Sequence, residues 1–320
     1  MFKLPYIPSA EKLVDDALRL GSAEAKKVRS TRKPRERRMR FSEEKRIQII
    51  SSRIYGELDA VVKQFPSYES LTPFYVQLFD LQIDKDKYKK SLGALSWVIS
   101  KLKKLENESI HTLRRGNENA SKHFMGKTSS LVTRVSKELD YLVEVKEVLK
   151  GFPIVKEYRT LVVAGFPNVG KSTFVRNLTG SKIKVASYPF TTQGIMIGYK
   201  KVRHENIQII DSPGLLDRPI EDRNNAELKA LLAISELADR ILFIVDPTME
   251  LKPQIKLLEE ISSNFDVGLI VGVNKIDVAG DDAVSHAKKI FSKFKVLTFT
   301  AQNPEDVQQV FKEAMNLPQE

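Results

Sequence analysis

Residues Gly165–Ser172 read GFPNVGKS, a G-x-x-x-x-G-K-S run set between the apolar stretch TLVVA and the helical pattern KSTFVRNLT. No other stretch limits the fold as tightly. Gly165 and Gly170 free the backbone to wrap phosphates, so that successive N–H groups point inward. Lys171 brings a cation to the β- and γ-phosphates, and Ser172 brings a hydroxyl to Mg²⁺. Such a phosphate loop belongs between a strand and a helix, and the chain around it has to be an α/β domain.

The rest of the second half fits that demand. Short β-branched runs (TLVVAGF, IMIGYKKV, IQIIDS, RILFIVD, GLIVGVNK, KVLTFTA) alternate with helical patterns such as KPQIKLLEEIS and PEDVQQVFKEAM. This alternation predicts a doubly wound, mostly parallel sheet over residues 159–320. Residues 1–158 follow a helical grammar instead. Ser9 caps an amphipathic stretch, Ser42 opens a long helix ending before Pro66, and Thr72-Pro73 starts a short one. Two further long helices follow, the second spanning ASKHFMGKTSSLVTRVSKELDYLVEVKEVL and ending at Gly151-Phe152-Pro153. Apolar residues at three- and four-residue spacing, with short loops, predict an all-α antiparallel bundle preceding the α/β domain. The aromatics Tyr6, Tyr55, Tyr75, Tyr88 and Trp97 read as bundle core.

Charge separates the halves further. The net charge is +11, and all of it lies in the first half. Up to Tyr158 there are thirty-two basic and twenty-one acidic residues, whereas from Arg159 onward there are twenty of each. Nine of the basic residues fall within Lys26–Arg40, KKVRSTRKPRERRMR. This half is built to meet a polyanion. The longest apolar runs are too short to span a bilayer. With no cysteine there is no disulfide or thiolate chemistry, and the four histidines lack metal-ligand spacing. Acidic residues among the first twenty argue against a presequence, and a soluble cytoplasmic protein is predicted.

Three more motifs complete a nucleotide site. DSPG ends one strand, with Asp211 near the metal and the Gly214 N–H near the γ-phosphate. NKID places the Asp277 carboxylate where it accepts from the N1–H and exocyclic amino group of guanine, a donor pair adenine lacks. TAQ ends the last strand, where a backbone amide meets the guanine O6. The nucleotide-binding set is therefore Gly165, Phe166, Pro167, Asn168, Val169, Gly170, Lys171, Ser172 and Thr173, with Asp211 and Gly214, Asn274, Lys275 and Asp277, and Thr300, Ala301 and Gln302. The cofactors are GTP or GDP and Mg²⁺. In YPFTTQ either Thr191 or Thr192 binds the metal, and Thr192 is chosen, giving Ser172, Thr192 and Asp211 as metal ligands. Lys171, Thr192, Gly214 and Asn168 form the catalytic set. After Gly214 comes Leu215, where many GTPases have a water-orienting glutamine. Arg218 and Arg223 either supply a catalytic cation or dock the switch.

The α/β half resembles the Obg-related class of translation-factor GTPases, which carry an apolar residue in place of that glutamine. More narrowly, GFPNVGKSTF, FTT and DSPGLLDRPIEDRN resemble the Nog family of nucleolar GTPases and their archaeal relatives. PFYVQLFD and DKDKYKKSLG are similar to that family's helical domain. The resemblance implies a GTPase with slow, glutamine-independent turnover that acts in assembly of the large ribosomal subunit. Its implied partners are large-subunit rRNA and the pre-ribosomal particle, with ribosomal proteins as further candidates, no membrane, and a monomeric free state. The sequence departs from the pattern of larger relatives in stopping at Glu320, and their partner-binding tail is expected to be absent. Asn168 resembles the asparagine that helps hold K⁺ in several GTPases lacking the glutamine. The alternatives are a GTP-dependent switch that does not hydrolyse and an RNA-modification GTPase.

Overall fold

The computed structural model of the protein describes residues 2–30, 35–180, 183–189, 194–211, 214, 216 and 224–317, with the backbone alone at 35, 36, 225 and 226. Two compact units divide the chain: Met1–Ser70 with Gln82–Lys150, and Leu71–Leu81 with Gly151–Glu320. The first half holds helices α1 (Ala10–Arg29), α2 (Arg35–Gln64), α3 (Pro73–Gln82), α4 (Lys85–Arg114), α5 (Ala120–Thr133) and α6 (Ser136–Gly151). Helix α3, counted with the bundle in the sequence reading, is grouped with the α/β unit.

In the helical unit α1 packs on α2, α2 on α4 and α4 on α5. The caps are side chains: Ser9 accepts from the Lys12 N–H at 3.3 Å, and Asp84 accepts from Lys87 at 2.9 Å. Ile47, Ile50, Ile54, Leu58 and Val61 form the buried stripe of α2, and Leu95, Val98 and Leu102 of α4 and Phe124 of α5, two helices that pack on α2, are buried as well. Each such side chain is stabilised by about 1.5–3 kcal/mol on burial. Gly21 sets how closely α1 approaches, because a Cβ there would sit 2.6 Å from Ile50 Cγ1.

Three expectations about this unit are corrected. Ser42 does not open α2, which already runs from Arg35; the hydroxyl is buried and accepts from Arg29 Nε at 3.0 Å. Arg, Glu and Met are good helix formers, and nothing in RERRMRF stops the helix. The final long pattern is two helices, broken at Arg134-Val135. Ser129 and Thr133 each bond back to the carbonyl four residues earlier, at 2.9 Å, and this back-bonding bends a helix. Tyr88 is core, with its hydroxyl on the Pro66 carbonyl at 2.6 Å, but Tyr6 and Trp97 are 61% and 45% exposed. Trp97 adjoins Val98 on α4, a step of about 100° off the buried stripe.

The α/β unit is a seven-stranded sheet in the order β2-β3-β4-β1-β5-β6-β7. The strands are β1 (Thr160–Ala164), β2 (Lys184–Ala186), β3 (Ile195–Val202), β4 (Glu205–Asp211), β5 (Arg240–Val245), β6 (Gly268–Val273) and β7 (Lys295–Thr298). Helices α7 (Lys171–Thr179), α8 (Asn225–Ser235), α9 (Leu251–Asn264), α10 (Asp281–Ile290) and α11 (Pro304–Ala314) connect or follow them. All pairings are parallel except those of β3, which runs antiparallel to β2 and β4. The short edge strand β2 escaped the sequence reading. Leu161 and Val163 face α7 and α11 in one core, where Phe174 meets Phe299 edge-on at 5.7 Å. The intervening Val162 is also buried, as a strand covered on both faces requires.

Helix α3 joins this unit through two aromatics. The Tyr75 hydroxyl donates to the Pro153 carbonyl at 3.0 Å and accepts from the Val155 N–H at 3.1 Å. Phe74 stacks on Tyr188 at 6.4 Å, and the Tyr188 hydroxyl donates to the Ala230 carbonyl of α8 at 2.7 Å. Among the described residues, no helix is long and apolar enough to cross a membrane.

Candidate nucleotide-binding site

The central strand β1 ends at Ala164, and the chain turns through 165–170 into α7, at the carboxyl ends of the parallel strands where doubly wound sheets bind ligands. Gly165 has φ 134° and its N–H donates to the Leu216 carbonyl at 3.0 Å. A side chain at this point would drive a Cβ to 2.2 Å from the Ile244 carbonyl oxygen. Gly170, at φ 105°, is equally restricted, with a Cβ 2.2 Å from Asn274 Nδ2. Between them Asn168 takes a positive φ of 64°, which asparagine tolerates better than most residues. Phe166 is half-buried, Pro167 and Thr173 are exposed, and Val169 anchors the loop in the core.

Lys171 is buried, and its ammonium donates to the Gly165 and Phe166 carbonyls, each at 2.7 Å. This holds the charge inside the curve of the loop. The Ser172 hydroxyl donates to Asp211 Oδ2 at 2.7 Å, although the two residues lie on different elements. A hydroxyl and a carboxylate side by side are hard oxygen donors of the kind that suits Mg²⁺, which takes few protein ligands and keeps its remaining positions for water and phosphate. Gly214 has φ 83°. Thr191, Thr192, Leu215, Arg218 and Arg223 lie outside the described residues.

The NKID and TAQ loops meet the phosphate loop through one buried side chain. Asn274 Nδ2 donates to the Val169 carbonyl at 2.7 Å, and its Oδ1 accepts from the Ala301 N–H at 2.7 Å. NKID, TAQ and the phosphate loop are thus tied together at a single amide. Asp277, Lys275, Thr300 and Gln302 stand with Asn168 around a pocket of about 240 Å³. The exposed Asp277 carboxylate accepts from the Thr300 hydroxyl at 3.2 Å, which steadies its orientation.

Supporting residues appear that the sequence reading passed over. Asp246, fully buried at the end of β5, pairs with Lys275 at 2.5 Å and accepts from the Thr248 N–H and hydroxyl at 2.9 and 2.7 Å. Burial pushes this carboxyl upward, but its Lys275 and Thr248 partners outweigh that and hold it below its ordinary value. Lys275 takes φ 58°, a conformation that costs a non-glycine residue energy and that this ion pair helps to fix. Gln254 clasps the Asp246 backbone from α9, at 2.9 and 3.0 Å. Asp306 accepts from the Thr300 N–H at 2.8 Å, and Asn177 donates to the Ala301 carbonyl at 2.6 Å. An acid ending the buried run ILFIVD was the available signal for the first of these.

A strand-to-helix phosphate loop, an acid beside its serine and a carboxylate at the adjoining pocket, set on a doubly wound sheet, define a P-loop GTPase domain. Residues 160–275 match the family model described as 50S ribosome-binding GTPase, and residues 2–156 match the NOG1 N-terminal helical domain. The chain belongs to the NOG1 family. It is 36% identical over 291 residues to an uncharacterized protein of Methanocaldococcus jannaschii, covering 88% of this chain and 82% of that one. It is 30% identical over 270 residues to nucleolar GTP-binding protein 1 of Drosophila melanogaster, covering 81% of this chain and 41% of the fly protein. The chain therefore spans less than half the length of that nucleolar relative. A crystal structure described as a nucleolar GTP-binding protein 1 of Plasmodium falciparum is 30% identical, with a TM-score of 0.45 over 52% of this chain and 89% of that one.

Proposed function

We propose that the protein is a GTP-binding and GTP-hydrolysing factor of large ribosomal subunit assembly, in which nucleotide state governs attachment to rRNA and the pre-ribosomal particle. The observation that carries the guanine half of this reading is the Asn274 junction with Asp277 at the pocket rim. That arrangement fixes a carboxylate at a set distance from the phosphate loop. The ribosomal half is supported by family membership, since the matching GTPase model is described by 50S binding and the fly relative is named for the nucleolus.

Within this reading the loop N–H groups and the Lys171 ammonium receive the phosphates. Ser172 and Asp211 would hold Mg²⁺, with Thr192 as a third ligand. The ion, when bound, neutralises charge on the transferring phosphoryl group. Lys171 and the Gly214 N–H present fixed donors to the γ-phosphate, and such preorganised charge is the largest contribution available to phosphoryl transfer. Replacing the Asp277 carboxylate by an amide leaves one acceptor for two guanine donors, and Asp277→Asn should weaken GTP binding by about 1–3 kcal/mol, or about five- to two-hundred-fold. Xanthosine triphosphate, with an acceptor where guanine has its amino group, should bind the variant better than the wild type. Calorimetry with both nucleotides tests this; unchanged GTP affinity in the variant would place the guanine pocket elsewhere.

A further inference from the structure

Helices α4 and α5 of the helical unit enclose a surface groove of about 470 Å³, remote in sequence from the basic run. Four cations line it, Lys101 and Lys104 from α4, Lys127 from α5 and Arg134 at the C-cap of α5, against the single carboxylate of Glu108. All four are exposed, and none forms an ion pair with a described residue. That distinguishes them from Arg114 on the same helix, which is paired with Glu44. Unpaired cations on two facing helices repel one another, and an anion seated between them relieves this.

The same face of α4 carries the chain's single tryptophan. Trp97 is 45% exposed, and Lys101, one turn on, sits with its ammonium 5.8 Å from the indole centroid. Trp97, Lys101, Lys104 and Glu108 follow i, i+4, i+7, i+11 spacing, a strip of about 16 Å along one helix face. Leaving a large aromatic in water beside a cluster of unpaired cations serves neither packing nor solubility. It does match the two surfaces of an unpaired nucleotide: a π-face that stacks on indole and a phosphate that meets ammonium or guanidinium groups. A continuous duplex hides its base faces, so the ligand is single-stranded or looped.

We infer that the α4–α5 groove is a binding site for unpaired RNA, with Trp97 stacking one base and Lys101, Lys104, Lys127 and Arg134 holding the flanking phosphates. The inference rests on the rRNA-binding reading above and names a site for it. An acidic polypeptide offers the charge without the π-face, which makes it the competing occupant to exclude.

Trp97 reports on its own site, because its fluorescence is the chain's only indole signal. The full-length protein is titrated at low salt with single-stranded oligoadenylate, with a blunt RNA duplex of equal length, and with polyglutamate. Binding of fluorescently labelled oligoadenylate is followed in parallel by anisotropy. Expected are saturable quenching by the single strand, little by the duplex, and none by polyglutamate. Trp97→Ala should bind the single strand about tenfold more weakly, the lower part of the range for one lost stack. Lys127→Ala and Arg134→Ala should each reduce the salt slope by about 0.7. All these residues are exposed, and unchanged thermal unfolding verifies that the variants fold. Anisotropy showing oligoadenylate bound without quenching, and equally by Trp97→Ala, would overturn the groove while leaving rRNA binding intact. No binding of oligoadenylate or of large-subunit rRNA would overturn the rRNA reading itself. Quenching by polyglutamate equal to that by oligoadenylate would overturn the nucleic-acid assignment.

Discussion

The candidate nucleotide-binding residues were legible because their chemistry is local. Only glycine fits at 165 and 170, where a Cβ collides with Ile244 or Asn274 at 2.2 Å. Gln254 and Asp306 were not legible, since they act on other residues and no spacing rule joins them to the motifs, and Asp246 was signalled only as an acid ending the buried run ILFIVD. Leu215 poses the sharpest question at this scale, because leucine neither donates nor accepts a hydrogen bond. Phosphoryl transfer depends chiefly on positioning and charge, so loss of the glutamine need not abolish it. Asn168 sits at an exposed, positive-φ position in the phosphate loop, and we propose that it helps hold K⁺ beside the phosphates. Steady-state phosphate release should then be slow, faster in K⁺ than in Na⁺ at equal ionic strength, and insensitive to the cation in Asn168→Ala. Leu215→Ala should lower kcat far less than Lys171→Ala. Equal rates in both salts would remove the monovalent cation from the mechanism.

At the level of elements, periodicity located nearly every helix and strand but misjudged ends and partners. Ser42 carried a cap's chemistry but met a helix already under way, and back-bonding at Ser129 and Thr133 divides a pattern that reads as continuous. The short β2 offers three residues, too few for an alternation to register. Partners are the harder problem, since an amphipathic face states that it is buried and not against what. Helix α3 illustrates it: its sequence lies among bundle helices, yet Phe74 and Tyr75 are fastened to Tyr188, Phe152, Pro153 and Val155. Phe74 is 2% exposed, so Phe74→Ala should destabilise the α/β unit by about 3–5 kcal/mol, while the conservative Tyr188→Phe, losing one hydrogen bond to Ala230, should cost about 1 kcal/mol. Thermal unfolding with hydrogen exchange resolved by segment separates these. Loss of protection confined to the α1–α2–α4–α5 core in Phe74→Ala would contradict the placement of α3.

Across the whole molecule, the division of charge was plain from counting, and its consequence is electrostatic. A net surplus confined to one half attracts a polyanion to that half, and each phosphate contact releases condensed counterions, making affinity fall steeply with salt. Cutting the chain near Tyr158 would be a poor test, because it would strip α3 of Tyr188, on which Phe74 stacks. The full chain with charges removed in place is sounder. Replacing Arg35, Arg37, Arg38 and Arg40 by alanine keeps good helix formers at the start of α2, so the helix survives and the charge does not. The control removes four exposed lysines of the α/β unit, Lys201, Lys252, Lys288 and Lys293. Both variants lose the same formal charge, and bulk attraction would weaken them equally. Binding to large-subunit rRNA, measured across a salt series, should show a slope smaller by up to about 3 for the arginine variant and nearly unchanged for the control. Weakening by the arginine change should be similar on unrelated RNA sequences, since phosphate contacts carry no base information. Equal loss in both variants would mean that net charge alone, and not the basic stretch at the α1–α2 connection, drives the encounter.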